Sequence, residues 1–357
     1  MNLLFYLPSL APSGGIERVV TTIANELSEI YSITILTQDK RASFYHIAPK
    51  VKLDSLSNYN QLNMNSKFSR VISQAKNIYH SVRNLANYLS DKEFDFIYHT
   101  HPISHLELLL AGVSKDKIVI SEHGASNNYN FIYRLIKSFS YKKCHLYCVP
   151  TTTDCEYYSQ MGFPAVYIPH YRPRLEYVPC NLNSKVVLNI GRYTDDKKQL
   201  VLLKIWNDID LEIRQEWTLN IVGDGELKSE LLAYIRENDL SKSVILSPPV
   251  SDISKYYKTA SVFALTSRSE GFGMVLLEAA GFGMPLISFN CPSGPKDIIN
   301  KNNGFLIENN DIESYKKKLT SMMLDEELRN CFSSGSFSLV NEWSNNKITG
   351  LWKDVFR

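Results

Sequence analysis

Two cations five residues apart, Arg192 and Lys197, follow an apolar run from Lys185 that ends in Gly191, with the polar residues Tyr193 to Asp196 between them. A strand-to-helix loop carrying both could neutralise a diphosphate, arginine through forked hydrogen bonds and lysine through a mobile point charge. A solvated basic turn, with Lys198 next door, is the plainer use of the same residues. Downstream, Glu270 precedes the turn Gly271-Phe272-Gly273-Met274, and Glu278 lies eight residues after Glu270 among Val275, Leu276, Leu277, Ala279 and Ala280. A carboxylate in so apolar a helix needs hydrogen-bond donors to offset its desolvation. Sugar hydroxyls would serve, as would a structural salt bridge.

Three further places offer chemistry. Gly14 and Gly15 stand between an apolar run and an amphipathic one, where glycine lets backbone N–H groups approach a ligand and a helix N-terminus favours an anion. A purely structural turn fits them equally well. His123, in Glu122-His123-Gly124 after the run KIVIS, is expected at the carboxyl edge of a sheet, where ligands of α/β proteins bind. Gly223-Asp224-Gly225 precedes another amphipathic stretch, but position 228 is Lys228, so the third glycine of a dinucleotide fingerprint is missing. No Gly-Lys-Ser/Thr phosphate loop occurs either.

The elements that must position these residues follow from periodicity. Short apolar runs alternate with longer amphipathic ones from the start of the chain, and the pattern resumes at Lys185 and continues through Trp217, Ser243, Ser261 and Pro285. This is the signature of parallel sheets with crossover helices, an α/β class with two doubly wound units. Pro169, Pro173 and Pro179 interrupt the periodicity and mark the boundary. The reading gives an N-terminal domain over 1–170, a C-terminal domain over 171–340, and a terminal helix over 341–357 that packs back on the first domain and carries Trp343 and Trp352.

Composition narrows the class further. The 357 residues are 44% hydrophobic and 21% charged, as in globular proteins, and the net charge of +2 is too balanced for a nucleic-acid groove. The six cysteines show neither a C-x-x-C pair nor metal-ligand spacing, and read as reduced thiols of a cytoplasmic protein. The start lacks the basic region of a signal peptide, and no apolar run reaches the roughly 20 residues of a membrane span. Two stretches mix cations with apolar residues. From Lys67 to Leu89, the residues Phe68, Val71, Ile72, Ala75, Ile78, Tyr79, Val82, Leu85, Ala86 and Leu89 form a stripe beside Lys67, Arg70, Lys76 and Arg83. From Phe131 to Tyr147, Arg134, Lys137, Lys142 and Lys143 lie among aromatics. Packing on the core is the ordinary use of such stripes. An anionic membrane surface is the second use.

Taken together, Glu270-x7-Glu278, Gly191-Arg192-x4-Lys197, Gly223-Asp224-Gly225, Gly14-Gly15-Ile16-Glu17-Arg18 and Ser293-Gly294-Pro295-Lys296 resemble the family-4 retaining glycosyltransferases, in the same order and over nearly the whole chain. The resemblance implies the GT-B architecture, two Rossmann-like domains facing a central cleft. It implies a retaining, metal-independent transfer of a hexosyl or N-acetylhexosaminyl group from a nucleotide sugar, UDP-linked, to a saccharide acceptor, polyprenyl-linked, in surface polysaccharide synthesis on the inner face of the membrane. No cofactor and no metal are expected, and no Asp-x-Asp site is present. Carried over residue by residue, Arg192 and Lys197 resemble the diphosphate ligands, Glu278 the ribose ligand, and Glu270 with Gly271, Phe272, Gly273 and Met274 the contacts to the donor sugar. Gly14, Gly15 and Gly223 resemble donor-binding loop positions, and His123 the histidine near the donor sugar. The chain departs from the pattern at Lys198, where many relatives carry glycine. A sugar-nucleotide epimerase and a non-catalytic sugar-nucleotide-binding subunit are the alternatives.

Overall fold

The computed structural model describes residues 1–12, 14–57, 67–124, 131–250 and 252–357; of 67–72, 74, 131 and 132 it describes the backbone alone. The chain forms two compact units, Met1–Tyr171 with Asn346–Arg357, and Arg172–Asn345.

Unit 1 runs β1 (Asn2–Leu7), α1 (Gly15–Leu27), β2 (Ser32–Thr37), β3 (Lys52–Ser55), α2 (Lys67–Ser90), β4 (Phe96–His99), α3 (Pro102–Leu110), β5 (Ile118–Ser121), α4 (Phe131–Ser140), β6 (Leu146–Val149), α5 (Thr152–Gln160) and β7 (Ala165–Tyr167). The strands pair in parallel in the order β3-β2-β1-β4-β5-β6-β7. Buried runs such as Leu3 to Leu7 and Val119 to Ser121 form the inner strands because helices cover both faces of the sheet. Helix α1 shows how a helix meets that requirement, turning Val19, Val20, Ile23, Ala24 and Leu27 inward at helical spacing.

Unit 2 runs β8 (Val186–Ile190), α6 (Gln199–Asn207), α7 (Leu211–Arg214), β9 (Thr218–Val222), α8 (Lys228–Glu237), β10 (Val244–Ser247), α9 (Ser254–Lys258), β11 (Val262–Leu265), α10 (Met274–Gly281), β12 (Leu286–Phe289), α11 (Pro295–Ile298), β13 (Gly304–Ile307), α12 (Ile312–Leu324) and α13 (Glu326–Glu342). Its sheet is also parallel, in the order β10-β9-β8-β11-β12-β13. Both sheets are therefore doubly wound, with the strand order reversing between β1 and β4 in the first and between β8 and β11 in the second.

The tail differs from the single helix expected from 341. Helix α13 ends at Glu342 and α14 (Asn345–Val355) starts afresh. The reason lies in the two tryptophans, which serve different cores. Trp343 stacks on Phe272 of unit 2, at 5.6 Å between ring centroids, whereas Trp352 meets the edge of Tyr98 in unit 1 and stacks on Phe356. The Val355 carbonyl lies 3.1 Å from Nε2 of His145, which holds the last turn of α14 to unit 1.

Both cation-bearing stripes are also corrected. On α2, Leu85 is buried and Ile78, Val82, Ala86 and Leu89 are half-buried, but Ala75 and Tyr79 face solvent. The side chains of Lys67, Phe68, Arg70, Val71 and Ile72 lie outside the described residues. On α4, Lys137 is no surface cation but is buried against Glu122, while Arg134, Leu135 and Phe139 are exposed, Phe139 at 78%.

Candidate active site

In unit 2 the switch point sets the loops after β8 and β11 side by side at the carboxyl edge of the sheet, where a crevice opens in doubly wound folds. The first loop is held from beneath by the turn after β9. Gly191 N–H donates to the Val222 carbonyl at 3.0 Å and Tyr193 N–H to the Asp224 carbonyl at 2.9 Å. A Cβ on Gly223 would run into the Gly191 carbonyl oxygen, and one on Gly225 into the Tyr193 backbone. Both glycines are thus required by a backbone-to-backbone approach. Tyr193 is fully buried and donates its hydroxyl to the Ile221 carbonyl at 2.9 Å. Its neighbour Arg192 stands in solvent, and among the described residues its guanidinium has no ion-pair partner.

Side chains outside the recognisable motifs fix the second half of this loop. Gln199 Nε2 donates to the Arg192 carbonyl at 2.9 Å, and Thr266 Oγ1 donates to the Lys198 carbonyl at 3.0 Å. Lys198 itself sits at φ 50°, ψ 39°, in the left-handed region just ahead of α6. That conformation explains why glycine suits this position in proteins of similar pattern. Of the two neighbouring lysines it is Lys197 whose Nζ donates to Oε1 of Glu270, at 2.7 Å across the switch point.

Glu270 is 8% exposed and accepts a second hydrogen bond on the same oxygen from Ser267 Oγ at 2.6 Å. The following turn is closed by Gly273 at φ 87°, which leads into α10. A Cβ on Gly294, at φ 74°, would collide with the Phe272 backbone, so the loop after β12 presses directly on the loop after β11. Phe272 is buried, while Gly271 and Met274 are respectively half-buried and the half-buried first residue of α10. Glu278, one turn into α10, is 1% exposed and accepts from the Tyr257 hydroxyl at 2.9 Å. The unit therefore gathers Arg192, Lys197, Glu270, Glu278, Gly223 and the 271–274 backbone around one edge. It presents free cationic charge at Arg192, an ammonium and a carboxylate already in contact, and the backbone N–H groups of the α10 N-terminus, which carry partial positive charge.

Unit 1 holds Gly14, Gly15 and His123. Gly14 caps α1, and a side chain there would strike the Glu17 carboxylate; around Gly15 nothing within 4 Å would resist a Cβ. At the switch point of this sheet lies a cavity of about 240 Å³ lined by Leu10, Ile16, Glu17, Arg41, Thr100 and His101. His101 was not singled out from the sequence. Its Nδ1 accepts from Ile103 N–H at 3.2 Å, so in the neutral ring Nε2 carries the proton and is a donor. His123 lies at the end of β5, its ring stacked on His170 at 5.2 Å with Nε2 3.4 Å from the Tyr98 hydroxyl. Burial pushes its pKa down to about 4, and the ring is neutral at pH 7. Burial likewise pushes His170 well below the usual imidazole range.

Among the described residues no group of three or more His, Cys, Asp or Glu side chains is arranged to hold a metal ion, and no helix is long and apolar enough to cross a membrane.

Comparison with known proteins gives the family and the fold. Residues 178–336 match the family model of glycosyl transferases group 1, and residues 13–170 match that of glycosyltransferase family 4. The chain is 28% identical over 367 residues to the amylovoran biosynthesis glycosyltransferase AmsD of Erwinia amylovora, covering 99% of each. It is 28% identical over 345 residues to the Campylobacter jejuni GalNAc-alpha-(1->4)-GalNAc-alpha-(1->3)-diNAcBac-PP-undecaprenol alpha-1,4-N-acetyl-D-galactosaminyltransferase, covering 92% of this chain and 90% of that one. Among solved structures, a mutant of S. aureus TarM in complex with fondaparinux, alpha-GlcNAc-glycerol and UDP superposes with a TM-score of 0.80 at 15% identity, covering 100% of each chain.

Proposed function

The chain belongs to the family-4 glycosyltransferases and has the GT-B fold, and from that premise we propose that it is a retaining, metal-independent enzyme of bacterial surface polysaccharide synthesis. It moves a hexosyl or N-acetylhexosaminyl group from a UDP-sugar to a polyprenyl-linked saccharide. The observation that carries this reading is the contact of Lys197 with Glu270 across the switch point, beside an exposed Arg192.

The chemistry follows from those groups. As the bond from the anomeric carbon to the diphosphate breaks, its electron pair stays on the diphosphate oxygen; the acceptor hydroxyl oxygen bonds to the same face of that carbon, and its proton passes to the departing diphosphate oxygen. Charge grows on the leaving group, so cations already fixed beside it stabilise the transition state more than the ground state. Arg192 faces solvent and meets the diphosphate directly. Lys197 exchanges part of its contact with Glu270 for a phosphate oxygen, which frees Glu270 to accept from donor-sugar hydroxyls. Glu278, already holding the Tyr257 hydroxyl, accepts from the ribose. His123 is neutral and serves as a hydrogen-bonding group rather than an acid. The cavity at the switch point of unit 1, with donors on Arg41 and His101 and an acceptor on Glu17, suits the hydroxyls of a saccharide acceptor. The UDP in the TarM complex and the undecaprenyl diphosphate in the Campylobacter enzyme's name support the donor and acceptor classes.

The test is to supply UDP-sugars and oligosaccharide acceptors in excess chelator and to read the new linkage by NMR. Turnover with the donor's anomeric configuration kept is expected; inversion, or activity that only added magnesium or manganese restores, contradicts the proposal. The exposed Arg134, Leu135 and Phe139 of α4, with Lys142 and Lys143 beyond them, form the surface that meets the inner leaflet. Each cation near an anionic surface contributes about 1 kcal/mol, so attachment should be reversible and weakened by salt. Equal sedimentation with neutral and anionic vesicles would remove that part.

A further inference from the structure

The loop that carries His123 is built on a buried charge that the transfer chemistry does not use. Glu122 follows β5 and is 2% exposed, and its backbone N–H extends the ladder to β6 by donating to the Cys148 carbonyl at 2.8 Å. One carboxylate oxygen, Oε1, accepts from the backbone N–H groups of His123 at 2.9 Å and Gly124 at 3.1 Å. The other, Oε2, accepts from the Lys137 ammonium, the Tyr147 hydroxyl and, at 3.3 Å, the Tyr158 hydroxyl. Lys137 Nζ donates also to the Tyr158 hydroxyl at 2.9 Å. A single carboxylate thus ties the His123 backbone to α4, β6 and α5.

Such an arrangement need not stabilise the fold more than an apolar plug would. Burying an ion pair carries a desolvation penalty on both partners, and replacing such a pair by well-packed neutral groups is often neutral or stabilising for the fold. Stability alone therefore gives weak grounds for the pair. Its geometry gives better ones. A carboxylate accepts on both oxygens at once, so the three donors on Oε2 fix the direction in which Oε1 faces, and Oε1 fixes two successive N–H groups. The His123 ring is then set by His170 and Tyr98, while its backbone is set by Glu122. Backbone and ring are both determined, as positioning a reacting partner demands.

We infer that Glu122, locked by Lys137, Tyr147 and Tyr158, is a positioning residue for His123, holding the imidazole in place for the transfer step. The inference rests on the proposed role of His123 at the donor sugar. It assigns a use to Lys137, which the sequence offered only as a surface cation.

Two charge-balanced double variants test it. Glu122→Gln with Lys137→Met removes both charges and keeps a carbonyl that accepts from the His123 and Gly124 N–H groups. Glu122→Ala with Lys137→Met also removes both charges and deletes that acceptor. With the UDP-sugar that supports turnover, and well below the melting temperature of each variant, the Gln double variant should stay within a few-fold of the parent kcat. The Ala double variant should fall about 100-fold in kcat, the scale on which misplacing a group costs rate, with donor KM little changed. Adding His123→Ala to the Ala double variant should then cost little more, because the imidazole is already out of place. Equal kcat in the two folded double variants overturns the inference and leaves Glu122 as part of the core. Full activity of His123→Ala in the parent background overturns the assigned role of His123 itself, which is a separate failure. If neither double variant folds, Tyr158→Phe, which removes one donor to Oε2, takes their place: it should lower kcat several-fold, and an unchanged kcat counts against the inference.

Discussion

Units 1 and 2 wind the same kind of parallel sheet and place loops at the same kind of switch point, yet they hold those loops by different means. In unit 2 the closest approaches are backbone against backbone, Gly223 under Gly191, Gly225 under Tyr193 and Gly294 against Phe272, with near-neighbour side chains such as Gln199 and Thr266 adding bonds to the loop. In unit 1 it is done by buried polar side chains drawn from distant segments, Glu122 with Lys137, Tyr147 and Tyr158, and Glu107 with Tyr6 and Gln38. All eight histidines of the chain, the last at 170, lie in unit 1, and none in unit 2. A loop fixed by close backbone approach depends on the missing side chain of glycine and tolerates little change. A loop fixed by a polar cluster depends instead on the charge state of the cluster.

Unit 2 has no room for an added methyl group at its loop contacts. Gly223→Ala drives a Cβ into the Gly191 carbonyl, which cannot rotate away as a side chain would. Unit 2 should lose about 3 kcal/mol, the upper range for overpacking, together with donor binding. Gly15→Ala meets nothing in unit 1 and should leave the melting temperature unchanged. An unchanged melting temperature for Gly223→Ala would mean that the loops are held otherwise.

Acid should act on unit 1 first. His99 and His170 are held well below the ordinary imidazole range by burial, and His105 and His123 are pushed to about 4. Each is neutral in the fold and takes up a proton in the unfolded chain near pH 6.5, so stability is complete above that pH and falls as pH drops toward 4. For a group at about 4 the loss is about 2 kcal/mol by pH 5. Glu107, raised to about 7 by burial, acts in the opposite sense, because the folded state keeps its proton while the unfolded state loses it. Against several histidines it is outweighed. Hydrogen exchange at pH 5 and pH 7.5 checks this: amides of β4 and β5 should lose protection on acidification well before those of β8 and β11. Parallel loss in both units would remove the distinction.

Lys198 holds a left-handed conformation that costs an L-residue roughly 1 kcal/mol, partly offset in glycine by the entropy of the unfolded chain. Lys198→Gly should raise the melting temperature by a degree or two. Turnover should not change, since Lys197 and not Lys198 contacts Glu270. A large loss of turnover would move the phosphate contact to Lys198.

The same contrast explains what could be read from the sequence. The alternation of apolar and amphipathic runs revealed both sheets, and the cations, glycines and glutamates of unit 2 stood out because the loops that use them are short and local. Ser267, three residues before Glu270, was within reach of the same reasoning. Gln199 was not, because nothing in its neighbours says that its amide turns back to the Arg192 carbonyl. In unit 1 the partners of Glu122 lie 15, 25 and 36 residues away, and no local spacing signals such a cluster. From sequence alone Lys137 accordingly reads as one of the surface cations around it. The tail misled for a related reason: two tryptophans 9 residues apart suggested one helix, and only the positions of Phe272 and Tyr98 separate them.

If the loop after β8 stabilises the departing diphosphate, single-turnover kinetics of Arg192→Ala with saturating UDP-sugar in excess chelator will register the loss. Arg192 faces solvent, so the fold should survive the change and the rate should report chemistry alone. The chemical step should slow by about 100-fold, the scale of losing one preorganised donor to developing charge. A rate within a few-fold of the parent would contradict it.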